Sequence, residues 1–127
     1  MEKVYPKTWE EYCEIDHRNP LAIETQMPFI GRLKRYGDNV TEHYYSPAFE
    51  ALAKLIELRD YYNGNWVPDW NDTETFKFVI QRGYCNIWHM KAAAVTYPCV
   101  LAFRTAYLRD KFYDNFQELI EQAKELL

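Results

Sequence analysis

The stretch at residues 46–70, SPAFEALAKLIELRDYYNGNWVPDW, constrains the fold more than any other part of the chain. Ser46 is a suitable N-cap, since its hydroxyl can accept from an unsatisfied N–H of a first helical turn, and Pro47 falls where a missing N–H costs nothing. Asn63 and Gly64 supply a stop. Between them Glu50, Lys54, Glu57 and Tyr61 recur at steps of four, three and four, which stacks them on one narrow stripe. Almost all other positions are apolar, so the pattern predicts a central helix covered on more than one side. After it, NWVPDW carries Trp66 and Trp70 around Pro68, either as a plug that closes the core or as an exposed aromatic clamp.

At 127 residues the chain is read as a single domain, with an N-terminal helix and irregular arm over 1–45 and a compact α-β-β-β-α core over 46–127. A domain of this size can bury roughly two thirds of its unfolded surface without a metal or disulfide. Aromatic residues make up 17%, eleven of them Tyr, more than a core requires and suggestive of a surface that meets something. The net charge is −4: residues 1–70 hold eight basic and twelve acidic residues, and residues 71–127 hold seven of each. Neither half has the clustered cations of a phosphate-backbone binder, so nucleic acid is excluded as a partner. Arg32, Lys34 and Arg35, between two glycines, read as a solvated loop.

Cys13, Cys85 and Cys99 are odd in number and lack CxxC spacing, which argues against a disulfide framework or zinc site and for a reducing compartment. The N-terminus MEKVYPKTWEEY has no apolar signal core, and no run approaches the ~20 apolar residues of a membrane span. The expectation is a cytoplasmic chain with no membrane partner, no cofactor and no metal.

Thr8 with Glu11 makes a capping box for a short helix from Thr8 to about Asp16 that lays Trp9 and Tyr12 inward. Residues 17–45 carry Pro20, Pro28, Gly31 and Gly37 without sustained periodicity and read as an irregular excursion with a turn at Tyr36–Asn39. From Thr75 the period becomes two, with Phe76, Phe78 and Ile80 on one face and Lys77, Val79 and Gln81 on the other. A turn at Gln81–Tyr84, a returning strand Tyr84–Met90, a loose connection Lys91–Tyr97 and a third strand Cys99–Arg104 follow. Thr105 caps a final helix whose apolar face is Leu108, Phe112, Phe116, Leu119, Ile120, Ala123, Leu126 and Leu127. The class predicted is α+β: a small antiparallel three-stranded meander with helices packed on one face, in the order α, loop, α, β, β, β, α.

Two residues break the pattern. Projected at about 100° per residue, Arg59 lies opposite the polar stripe of the central helix and Arg109 lies on the apolar face of the last. Each can be held by a carboxylate such as Asp60, Asp69, Asp72 or Asp110, or can receive an anionic planar ligand beside Trp66, Trp70 or Trp88. The two occur in an echo, LRD followed by Tyr62 and Asn65 in one helix and by Phe112 and Asn115 in the other. No GxSxG, Walker A, GxGxxG or HExxH motif is present. Cys85 and His89, two steps apart on a strand, are the one thiol–imidazole pair in range.

LIELRDYYNGNWVPDW, Lys77–Ile80, the tail LAFRTAYLRDKFYDNFQELIEQAKELL and the start KTWEEYCE together resemble a set of short proteins encoded by phages and integrated mobile elements of gut bacteria. Their shared pattern is a leucine-rich helix ending LRDxYN, then W, PDW, a strand, an aromatic strand and a helix LRDKFxxNFxxLIExAKxLL. Asp16 to Tyr45 lies outside the likeness. The family has no assigned activity, so the resemblance implies origin and compartment and carries over no functional residue.

Two functions are therefore expected in different classes. One is a non-enzymatic accessory protein that binds a protein, itself or a host factor, through aromatic surface near Trp9, Tyr44, Tyr45, Trp66 and Trp70. The other is a binder of a small anionic, nucleotide-like ligand, using Arg59 or Arg109 with a tryptophan such as Trp66, Trp70 or Trp88. No catalytic residue is assigned.

Overall fold

A computed structural model of the chain describes residues 3–17, 19–20, 42–72, 74–82, 88–93 and 99–127. Among these residues it contains helices α1 (Trp9–Ile15), α2 (Glu42–Asn63) and α3 (Ala106–Gln122), strands β1 (Lys77–Arg82), β2 (Trp88–Ala93) and β3 (Ala102–Phe103), and a short 3-10 turn at Lys124–Leu126. The class is α+β. The chain divides into two compact units, Met1–Leu55 with Glu118–Leu126, and Ile56–Gln117 with Leu127. The division falls inside α2.

The first unit begins as its sequence dictates. The Thr8 side chain accepts from the Glu11 N–H at 3.0 Å, and α1 buries Trp9, Tyr12 and Cys13. His17, at φ 54°, closes it in the left-handed region. The Trp9 indole N–H donates to the Pro20 carbonyl at 3.0 Å, and the Lys54 Nζ stands 5.6 Å over its ring while also bonding Glu50 at 3.1 Å. Part of the polar stripe of α2 is thus covered by α1.

Helix α2 differs from expectation at its start. It begins at Glu42, so Ser46 and Pro47 are not its cap and first residue; Pro47 lies inside the helix. Residues 42–45 are helical rather than irregular, and the excursion over 21–41, with Tyr36–Asn39 and Arg32, Lys34 and Arg35, lies outside the described residues. The fully buried positions Ala48, Ala51, Leu55, Leu58 and Tyr62 follow one heptad-like stripe with half-buried flanks, a narrower dry face than the sequence suggested. Gly64, at φ 64°, takes the left-handed position after the last turn, a conformation any Cβ would oppose.

In the second unit β1 is the central strand, and the order is β2-β1-β3. This corrects the meander, in which the middle strand by sequence would be the middle strand in space. Antiparallel β1 and β2 pair from Lys77 with Ala93 to Arg82 with Trp88. The returning strand runs on through Lys91–Ala93, where a loose connection was expected, and its expected start over residues 84–87 lies outside the described residues. The ladder with Lys77–Val79 outweighs the weak strand preference of alanine. Phe78 and Val79 pair with Phe103 and Ala102 on the other edge, and the Ile80 N–H reaches the Leu101 carbonyl at 3.0 Å.

The phase of β1 is also reversed at its start. Lys77 and Val79 are buried, whereas Phe76 is 59% exposed. Thr105 does cap α3, its hydroxyl accepting from the Leu108 N–H at 3.1 Å. The helix buries Leu108, Phe112, Phe116 and Ile120 and kinks at Phe116, with φ −123° and ψ 27°. The core of this unit is an aromatic cluster: Phe112 meets Tyr62 edge-on at 5.2 Å, Phe103 at 4.8 Å and Phe116 at 4.9 Å. The Tyr62 hydroxyl accepts from the Asn115 amide at 3.0 Å.

Candidate functional site

The site grows from the end of α2. Asn63, buried, donates through its side-chain amide to the Ala102 carbonyl at 2.9 Å and accepts from the Arg104 N–H at 3.2 Å. One amide side chain thereby pairs with the β3 backbone as a neighbouring strand would. The loop that leaves Gly64 is shaped by two aspartates in turn. Asp69 accepts from the Asn71 N–H at 2.9 Å, and Asp72 accepts from the Glu74 and Thr75 N–H groups at 2.9 and 3.2 Å and from the Thr75 hydroxyl. These bonds hold the Asp72 carboxyl below its ordinary pKa of 3.8, the Thr75 hydroxyl contributing most, then the Glu74 and Thr75 N–H groups, with Lys77 last.

Lys77 anchors the loop from beneath. It is 1% exposed, its ammonium donates to the Asp72 and Thr75 carbonyls, and it lies 5.6 Å from the Trp70 ring centroid. A buried ammonium needs such partners, and the desolvated cation–π contact contributes ~2 kcal/mol. This arrangement explains the reversed strand phase: Lys77 faces inward because backbone carbonyls and an indole receive its charge.

Above this frame lies a cleft of about 690 Å³, lined from residues 59–70 and 99–102 and wholly within the second unit. Arg59, Trp66, Val67, Trp70 and Cys99 are among its walls. Trp66 and Trp70 are half-buried, while Val67 between Trp66 and Pro68 is 80% exposed. Arg59 sits just past the edge of the buried stripe of α2, with its side chain 25% exposed. It donates from Nη1 to the Val100 carbonyl at 2.8 Å, and from Nε and Nη2 to the Asp60 carboxylate at 3.0 and 2.8 Å. A guanidinium already paired with a carboxylate presents little net positive charge to an incoming anion.

Replacing Arg59 by alanine removes the charged bond to Val100 and a screened ion pair, and should cost about 1–2 kcal/mol, lowering the melting temperature by roughly 5 °C. A calorimetric scan showing an unchanged midpoint would contradict a structural role for this side chain.

The remaining candidates separate. Arg109, 11% exposed, donates to Asp110 at 2.9 Å and stands 5.8 Å over the Phe78 ring, away from the cleft walls. The echo between the two helices is thus structural in part, since each arginine bonds the aspartate that follows it. Trp88, half-buried, begins β2 opposite Arg82 and does not line the cleft. Trp9 is buried in the first unit and contributes no exposed aromatic surface. Cys85 lies outside the described residues, as do the side chains of His89, Tyr44 and Tyr45. Sequence reasoning missed Lys77, Asn63 and Val67; the D-T-E-T run over residues 72–75 was the available signal of a carbonyl-rich turn.

Among the described residues no group of three or more His, Cys, Asp or Glu side chains could hold a metal ion, and no helix is long and apolar enough to cross a membrane. Comparison of the chain with protein-family models, with curated proteins and with solved structures yields no match.

Proposed function

We propose that this chain is a non-catalytic accessory protein, of the phage or mobile-element kind its sequence resembles, that works in the host cytoplasm by binding a protein through the loop at the end of α2. The observation that carries this reading is Val67, 80% exposed between Trp66 and Pro68 on the wall of the cleft. Val67 stands with the half-buried Trp66 and Trp70 on a braced loop, and apolar groups gathered at one place on a surface are what a protein partner docks against. The loop is held from below by Lys77 and at its start by Asn63, so a partner would meet a surface already ordered, with less entropy lost on docking. The partner is either a second copy or a host factor. The anionic-ligand reading loses support because Arg59 is engaged by Asp60 and Val100.

A photo-crosslinking residue placed at Asn65, which lines the cleft, tests this. Expressed in a bacterial host and irradiated, the chain should yield a discrete crosslinked protein or a crosslinked dimer, identified by mass spectrometry. Irradiation that leaves only uncrosslinked monomer at every expression level would refute it.

A further inference from the structure

We infer that the partner segment seated in this cleft is a neutral, proline-rich stretch in the polyproline II conformation. The inference rests on the docking reading above and adds the chemistry of what docks. Of the residues that line the cleft only Arg59 and Asp60 carry a charge, and they pair with each other at 2.8 Å. The walls therefore hold no net charge that would select an acidic or a basic occupant.

Hydrogen-bonding capacity on the walls is unevenly spent. The Val100 carbonyl is taken by Arg59 and the Ala102 carbonyl by the Asn63 amide, so the wall at residues 99–102 is closed to an added strand. Cys99 accepts from the Gln81 amide at 3.0 Å, and the Asn63 side-chain oxygen accepts from the Arg104 N–H. The two tryptophans of the cleft differ from these. Among the described residues Trp66 spends its backbone N–H on the Asn63 carbonyl at 3.2 Å, and Trp70 gives a ring face to Lys77. Neither indole N–H bonds to a described residue, and neither indole nitrogen is enclosed, so both are left for an incoming acceptor.

A neutral aromatic surface with N–H groups to donate is completed by flat apolar rings and free carbonyls. Proline supplies both: its ring packs on an indole face, it brings no N–H that would need an acceptor, and polyproline II leaves its carbonyls unbonded within the segment. A helix spends its carbonyls internally, and a β-strand would bring N–H groups to the Val100 and Ala102 carbonyls already in use. The preset φ of proline also lowers the entropy lost on docking. A volume of about 690 Å³ lies within the range of ligand-holding clefts.

The test is calorimetric titration of the full chain with blocked hexaproline and blocked hexaalanine. Hexaproline should bind saturably and hexaalanine at least roughly tenfold more weakly, because it lacks the rings and the fixed backbone. Raising sodium chloride from about 0.05 M to about 0.5 M should leave the hexaproline affinity within about twofold, since the walls carry no net charge. Trp66→Phe keeps an aromatic face and removes the N–H, and should weaken hexaproline by about threefold to tenfold. Trp88→Phe, outside the cleft, should leave the affinity unchanged. Melting temperatures are taken alongside, and Trp70→Phe repeats the measurement if Trp66→Phe lowers the midpoint.

Hexaalanine binding as tightly as hexaproline, a steep loss of affinity with salt, an unchanged affinity in a folded Trp66→Phe chain, or no saturable binding of hexaproline would overturn the inference. So would a product crosslinked at Asn65 that is a dimer, or whose captured segment contains no proline, either of which leaves the docking reading intact. Loss of the docking reading itself appears separately, as the absence of any product from the crosslinking experiment.

Discussion

Replacing Phe112 by alanine should lower the unfolding free energy by about 3–5 kcal/mol, measured by urea denaturation. The ring is fully buried and touches three others, Tyr62, Phe103 and Phe116, so its removal opens a void that none of them can fill without breaking the others' packing. The edge-on contact with Tyr62 has a further dependence, because Tyr62 is fixed by the Asn115 amide at its hydroxyl and cannot swing into the gap. Against a typical domain stability of about 5–15 kcal/mol, such a loss is a large fraction of the whole. Tyr107→Ala, on the same helix but 63% exposed, should change stability by less than about 0.5 kcal/mol. Equal losses from the two variants would mean that the aromatic cluster is not the core of this unit.

Asn63→Ala should cost about 2–4 kcal/mol, because it strands both a buried carbonyl at Ala102 and the Arg104 N–H. The more informative variant is Asn63→Asp. An ionised carboxylate could still accept from Arg104 but would set a second oxygen against the Ala102 carbonyl, so burial and that contact raise its folded pKa. With the folded pKa above the unfolded value of ~3.9, the charged form is the penalised one. The deficit should be small below about pH 4, where the protonated acid can donate to Ala102, and should grow as pH rises through the folded pKa. Denaturation midpoints across pH, compared with Asn63→Ala, whose deficit should stay flat, check this.

Helix ends were legible in the sequence where the capping chemistry is local. Thr8 with Glu11, Gly64 and Thr105 each act as their residue types dictate. The beginning of α2 was not legible, because Ser46 and Pro47 make an acceptable start and only the continuing helix shows that an earlier one is used. Strand phase was misread at Phe76 and Lys77, since hydrophobicity alone sends lysine outward; the partners that admit Lys77 are carbonyls of its own preceding turn. Strand order was beyond local reasoning. Nothing in Ala102–Phe103 announces that it pairs with β1, and its other partner is a side chain, Asn63, fixed at the end of a helix some forty residues earlier.

For the site, the sequence identified Arg59, Trp66 and Trp70, which the fold brings to one cleft, and it grouped with them Trp9, Trp88 and Arg109, which the fold places elsewhere. Residue type suggested which side chains could bind something. Only the frame supplied by Asn63 and Lys77 selects those that stand together.

The central claim is that the exposed loop serves a partner and not the fold, and Val67→Asp tests it most directly. Melting temperature and crosslinking from Asn65 should be read on the same variant in the same host. Because Val67 is 80% exposed, the melting temperature should stay within about 1 °C of the parent while the crosslinked product disappears. A variant that crosslinks as well as the parent, or one that loses its partner only because it has unfolded, would contradict the account.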